Sequence, residues 1–148
     1  MDSENNNETD RQQSIYSNVL LDHFRNPRNY GSLPSADITC EEFNPLCGDR
    51  IRIGLEISEN RIAGARFVGD GCAICIAAAS MLTELVLNAD IDQGEIISGV
   101  ETQDLASLLL SSLQSDIKPS RMKCAMLPLE ALRSCVKLYF QSDAGKSA

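Results

Sequence analysis

The sequence lacks several features that would place it quickly. No run of about twenty apolar residues exists, so nothing in it reads as a membrane-spanning helix. Basic residues are scarce: 13 Lys and Arg stand against 21 Asp and Glu, a net charge of −8. That balance argues against a nucleic-acid surface, which usually carries a basic patch. An acidic surface can instead steer a basic protein partner. Met1 to Ser14 holds Asp2, Glu4, Glu8 and Asp10 but only one basic residue, Arg11. A secretory signal needs a basic start and an apolar core, and a transit peptide avoids acids. Residues 1–14 are therefore expected to be a disordered tail of a cytoplasmic protein. Histidine occurs once, as His23, with no second ligand near it in sequence. A capping or surface role is expected for it rather than a metal role. A zinc ribbon would need two Cys-x-x-Cys pairs, and only Cys72-Ala73-Ile74-Cys75 is present.

What the chain does have is ordinary bulk and unusual cysteines. Its 148 residues, 43% hydrophobic and 23% charged, suit one globular domain with a single core. The domain is expected over residues 15–140, with a flexible tail at 141–148. Six cysteines without a secretory signal point to a reducing compartment. There disulfides are rare, and clustered cysteines lean towards metal or catalysis.

Apolar periodicity outlines an α+β domain. Ile15, Val19, Leu20 and Phe24 give one helical face, which the Asn26-Pro27 and Tyr30-Gly31 steps end. From Ala36 the period shortens to two. Ile51, Ile53, Leu55 and Ile57 fall on one side of a strand, opposite Arg50, Arg52 and Glu56. Glu59-Asn60 reads as a turn into a returning strand, Ile62 to Val68. The expected sheet is small, three-stranded and antiparallel, with one covered face. Cys72 to Asn88 is the strongest helix, rich in alanine. Ile91 to Leu113 predicts one short and one longer helix, with Asp104 at a first turn where a carboxylate suits the dipole. After Lys118-Pro119-Ser120, a last helix from about Ala125 to Phe140 buries Leu129, Leu132, Val136 and Tyr139.

Three short segments carry the candidate chemistry: Asn44-Pro45-Leu46-Cys47-Gly48-Asp49, Gly69-Asp70-Gly71-Cys72 and Arg121-Met122-Lys123-Cys124-Ala125. Cys72 and Cys124 fall at helix starts, where free N–H groups and the positive helix end stabilise a thiolate. Cys47 falls on a loop beside Gly48, and Asp49 adds a hard oxygen donor. Three thiolates and a carboxylate suit tetrahedral zinc or iron. Spacing alone leaves two other readings open, cysteines buried in a core and a thioredoxin-like Cys72-x-x-Cys75 redox pair. Cys40 and Cys135 lie inside a strand and a helix and read as structural.

These segments resemble the three signatures of the U-type iron–sulfur assembly proteins, the family of IscU, SufU and the N-terminal domain of NifU. Tyr16-Ser17 to Arg28-Asn29 is similar to the family's opening, and the likeness runs from Ile15 to Tyr139. It implies a SufE/IscU/NifU-like fold. It implies sulfur received as persulfide from a PLP-dependent cysteine desulfurase and passed towards [2Fe–2S] clusters, downstream apoproteins or assembly factors. Carried onto this chain, the ligands become Cys47, Asp49, Cys72 and Cys124, with Cys124 or Cys47 as the catalytic sulfur acceptor. Lys123 stands where the IscU branch has histidine, and the stretch from Cys72 to Cys124 is longer than in that branch. Both features resemble SufU, whose site holds zinc. Cys75 replaces a serine usual in SufU-like chains and is expected to be core. The expectation is sulfur relay at a zinc site. The alternatives are a scaffold that assembles a [2Fe–2S] cluster on iron, and a structural zinc module that binds a partner.

Overall fold

Alternating side chains build the sheet. The computed structural model describes residues 16–92, 95–97 and 105–141. In it, β1 (Ile38–Asn44), β2 (Asp49–Ser58) and β3 (Arg61–Asp70) form the expected antiparallel meander. Ile51, Ile53, Leu55 and Ile57 are buried on one face, joined by Ile62, Ala65 and Phe67 of β3. Arg50 and Arg52 face solvent. Glu59 and Asn60 both take positive φ, 55° and 59°, the conformation that a two-residue hairpin with matching twist requires.

The sheet runs further than the period-two pattern showed. Two short strands, β4 (Asp90–Asp92) and β5 (Glu95–Ile97), extend it in the order β1-β2-β3-β4-β5. They occupy ground where the sequence predicted a short helix. Backbone pairing outweighs propensity here: Ile91 N–H donates to Asn60 O at 2.8 Å, and Arg61 Nε reaches Asp90 Oδ1 at 3.1 Å.

Four helices are described: α1 (Asn18–Arg25), α2 (Ala73–Leu85), α3 (Leu105–Leu113) and α4 (Met122–Gln141). Ser17 caps α1 by accepting the Leu20 N–H at 3.0 Å. α2 is buried along its whole middle, Ile74 to Thr83. It packs against β3, α1, α3 and α4, and its alanines permit that crowding. α4 lies across β1 and β2, so α2 and α4 together cover the apolar face of the sheet.

Some expectations shift. On α1, Leu20, Leu21 and His23 are buried, whereas Phe24 is 40% exposed. His23 is no surface cap: its Nδ1 stands 2.7 Å from Ser80 Oγ on α2, and burial lowers its pKa below the usual 6.5. The expected tails and Asp104 lie outside the described residues, except that Gln141 ends α4. Among the described residues no helix is long and apolar enough to cross a membrane.

Candidate metal centre

One end of the β1–β2 hairpin faces the starts of α2 and α4, and the three cysteine segments meet there. In the hairpin turn, Gly48 takes φ +77°, which a side chain resists, and its N–H donates to Asn44 O at 2.8 Å. Asn44 Oδ1 also accepts the Leu46 N–H at 3.0 Å. This tight turn leaves Cys47 exposed at the tip and starts β2 with Asp49 buried, 3% exposed.

Asp49 then reaches the head of α2. Cys72 is the N-cap of that helix and has no side-chain capping bond of its own. Asp49 Oδ1 accepts its N–H at 3.3 Å, and Asp49 Oδ2 is 3.8 Å from Cys72 Sγ. A carboxylate at the positive end of a helix is favourably placed. Gly71 keeps the space open: a Cβ there would lie 3.1 Å from Cys75 Sγ and 3.3 Å from Asp49 Cγ.

Cys124 arrives on the first turn of α4, introduced by a 3₁₀ turn, Pro119–Arg121. Its sulfur is 3.8 Å from Cys47 Sγ. Ligand atoms of Cys47, Asp49 and Cys124 all lie within 4.8 Å of one another. Cys72 stands on the Asp49 side, and its sulfur falls outside that mutual group. Pro128 sits inside α4, so the helical bond that the Cys124 carbonyl would accept is missing. The helix starts at Met122 rather than at the expected Ala125, which sets Pro128 inside it.

At Cys124 the surroundings favour the protonated thiol. Burial, then a hydrogen bond with Asp49, pushes the Cys124 thiol up to about 12 from 9.0. Arg121 is the nearby positive group: its interaction with the Cys124 sulfur raises its own pKa. Lys123 is exposed. Cys75 is completely buried and its thiol is raised, mainly by burial, as expected of core.

The donors suit a tetrahedral metal. Zinc–sulfur bonds of ~2.3 Å at the tetrahedral angle place two sulfurs ~3.8 Å apart. The Cys47–Cys124 separation is that length. Cys47, Asp49 and Cys124 are therefore spaced as donors to zinc or iron would be, with Cys72 beside Asp49.

Comparison with known proteins agrees with the geometry. Residues 15–145 match the family described as NifU-like N terminal domain. The zinc-dependent sulfurtransferase SufU of Bacillus subtilis (strain 168) is 36% identical over 133 residues, covering 83% of this chain and 90% of that one. The iron-sulfur cluster assembly scaffold protein IscU 1 of Archaeoglobus fulgidus is 35% identical over 129 residues, covering 87% and 79%. The solved N-terminal NifU-like protein of Brucella abortus superposes with a TM-score of 0.68 at 16% identity, covering 88% of this chain and 98% of that one, a likeness of fold. By sequence and by architecture, this chain belongs to the NifU-like N-terminal domain family.

Proposed function

We propose that this protein works in iron–sulfur cluster assembly, accepting persulfide sulfur from a PLP-dependent cysteine desulfurase in the cytoplasm and relaying it from a Cys3Asp site. One observation carries the reading: Cys47, reachable at a turn tip, stands 3.8 Å from the buried Cys124. An acceptor must be exposed to a partner's persulfide, and a sheltered thiol beside it gives the sulfur somewhere to go. In the transfer, the Cys47 thiolate attacks the outer sulfur of the donor persulfide. The donor's S–S bond breaks, a new one forms at Cys47, and the donor leaves as thiolate. Arg121 supplies positive charge beside the sulfurs. Zinc, when bound by Cys47, Asp49, Cys72 and Cys124, keeps those sulfurs deprotonated at neutral pH.

Alanine production by a cysteine desulfurase, measured with and without this protein, tests the reading. Wild type is expected to stimulate it, and Cys47→Ala and Cys124→Ala to lose the stimulation. Undiminished stimulation by both variants contradicts a sulfur-acceptor role. The scaffold reading, with iron and the cluster as cargo, draws on the same donor set and on the 35% identity to the Archaeoglobus scaffold protein. Anaerobic reconstitution with iron and sulfide separates the two. A stable cluster chromophore that needs all three cysteines favours the scaffold.

A further inference from the structure

The solvent-facing side of the meander carries an arginine cluster that the cysteine site does not use. Strand register stacks it in rows across β1, β2 and β3: Thr39–Gly54–Arg66, then Glu41–Arg52–Val68, then Phe43–Arg50–Asp70. Gly54 omits a side chain between Thr39 and Arg66. The segment after α1 closes over that gap, so a Cβ on Gly54 would stand 3.3 Å from Ala36 Cβ and 3.6 Å from Leu33 Cβ. What remains is a cavity of about 140 Å³ bordered by Gly31, Ser32, Thr39, Arg52, Gly54 and Arg66, with no carboxylate in its lining.

Donors outnumber acceptors there. Arg66 lies flat against Gly31, where a Cβ would come within 2.8 Å of its Nη2. Its Nη2 donates to Tyr30 O at 2.7 Å, which fixes the guanidinium. Its Nε is buried and has no hydrogen-bond partner among the described residues, a standing cost that an acceptor oxygen would remove. Among the described residues Arg52 is tied by a 3.4 Å ion pair to Glu41, with both side chains partly exposed, and such pairs are weak. It is free to turn.

Of the neighbouring acids among the described residues, only Glu41 touches an arginine of the lining, through its ion pair with Arg52, and none lines the cavity itself. Glu41 and Asp70 border the adjoining groove of about 280 Å³, which shares Arg52 and Val68 with the cavity. Glu56 stands one row beyond Gly54, beside Gly64, where Leu33 also packs. The Asp37 carboxylate is occupied by the Ile57 N–H at 2.7 Å. Negative charge therefore favours the Arg66 side over the groove. The cavity is also smaller than the ~300 Å³ at which small-molecule pockets begin, so it suits a small ion rather than a cofactor.

We propose that this cavity binds a phosphate-type oxyanion, held by the Arg52 and Arg66 guanidinium groups and the Ser32 and Thr39 hydroxyls. Planar guanidinium forks pair well with such oxygens. The same chemistry would take a free ion or the phosphoryl group of a larger molecule, and the free ion is the simpler probe.

The test is a titration of the ¹⁵N-labelled full chain with inorganic phosphate at low ionic strength, against chloride at matched ionic strength. Phosphate is expected to produce saturable amide shifts at Gly31, Ser32, Gly54 and Arg66, with those around Cys47 and Cys124 unmoved, and chloride to produce none. Arg52→Gln changes an exposed side chain and should keep the fold while weakening phosphate at least tenfold. Arg66→Gln should abolish the saturable shifts. Shifts that fail to saturate in the wild type, or unchanged affinity in Arg52→Gln, overturn the proposal.

Discussion

Cys124 and Cys135 lie on one face of α4, about three turns apart, and both point towards the β1–β2 pair. Cys124 meets the hairpin end, where it finds Cys47 and Asp49. Cys135 meets the interior of the same two strands: its Sγ donates to Ile53 O at 3.3 Å, and its neighbour is Cys40, the register partner of Ile53. Burial raises both thiols. The difference comes from what else each location offers. A strand end brings a tight turn, an exposed second thiol, a carboxylate and a guanidinium. The strand interior offers only a saturated backbone and another buried thiol. Reactivity here follows the ends of elements, and packing follows their middles.

The contrast can be broken hardest at Asp49. Asp49→Ala removes the carboxylate that links Cys72 to the hairpin. Zinc affinity, measured by competition with a chromophoric chelator, should fall by more than the ~10–100-fold that loss of an outer-sphere partner costs. Retained affinity would remove Asp49 from the ligand set. Cys135→Ala sharpens the comparison from the other side. Truncating that buried thiol should cost about 1–3 kcal/mol in urea unfolding while zinc content stays at the wild-type level. Zinc lost with a native fold would merge the two regions into one site.

A smaller effect concerns His23, buried away from both thiol pairs. Its folded pKa lies below the usual 6.5, chiefly through burial and then through Arg28. The unfolded chain therefore binds the proton more readily. The stabilisation from burying the neutral ring is complete above about pH 6.5 and is lost as pH falls from there through the folded value. Urea titrations of the metal-free protein between pH 7.5 and 5.5 should show a smaller decline for His23→Gln than for the wild type. Equal slopes would mean that His23 does not titrate differently on folding.

Much of this arrangement was legible because its signals are local. The alternation of Ile51, Ile53, Leu55 and Ile57 gave the covered sheet face, and turn formers beside Cys47 and Cys72 marked element ends. The convergence of three segments could be expected from the resemblance more than from spacing, since cysteine intervals carry no distance. β4 and β5 escaped notice because three residues are too few to display period two, and the ladder between β4 and β3 has a single register pair, Arg61–Asp90. His23 was misread because its partner Ser80 lies 57 positions away, on another helix.

We propose that Cys47, Asp49, Cys72 and Cys124 form one metal site and that Cys75 is not among its ligands. X-ray absorption at the zinc edge of the zinc-loaded protein measures that most directly. The account predicts three sulfur ligands at about 2.3 Å and one oxygen at about 2.0–2.2 Å. In Asp49→Ala the short oxygen should disappear or be replaced by water, while Cys75→Ser should leave the spectrum unchanged. Four sulfur ligands in the wild type, reduced to three by Cys75→Ser, would contradict it.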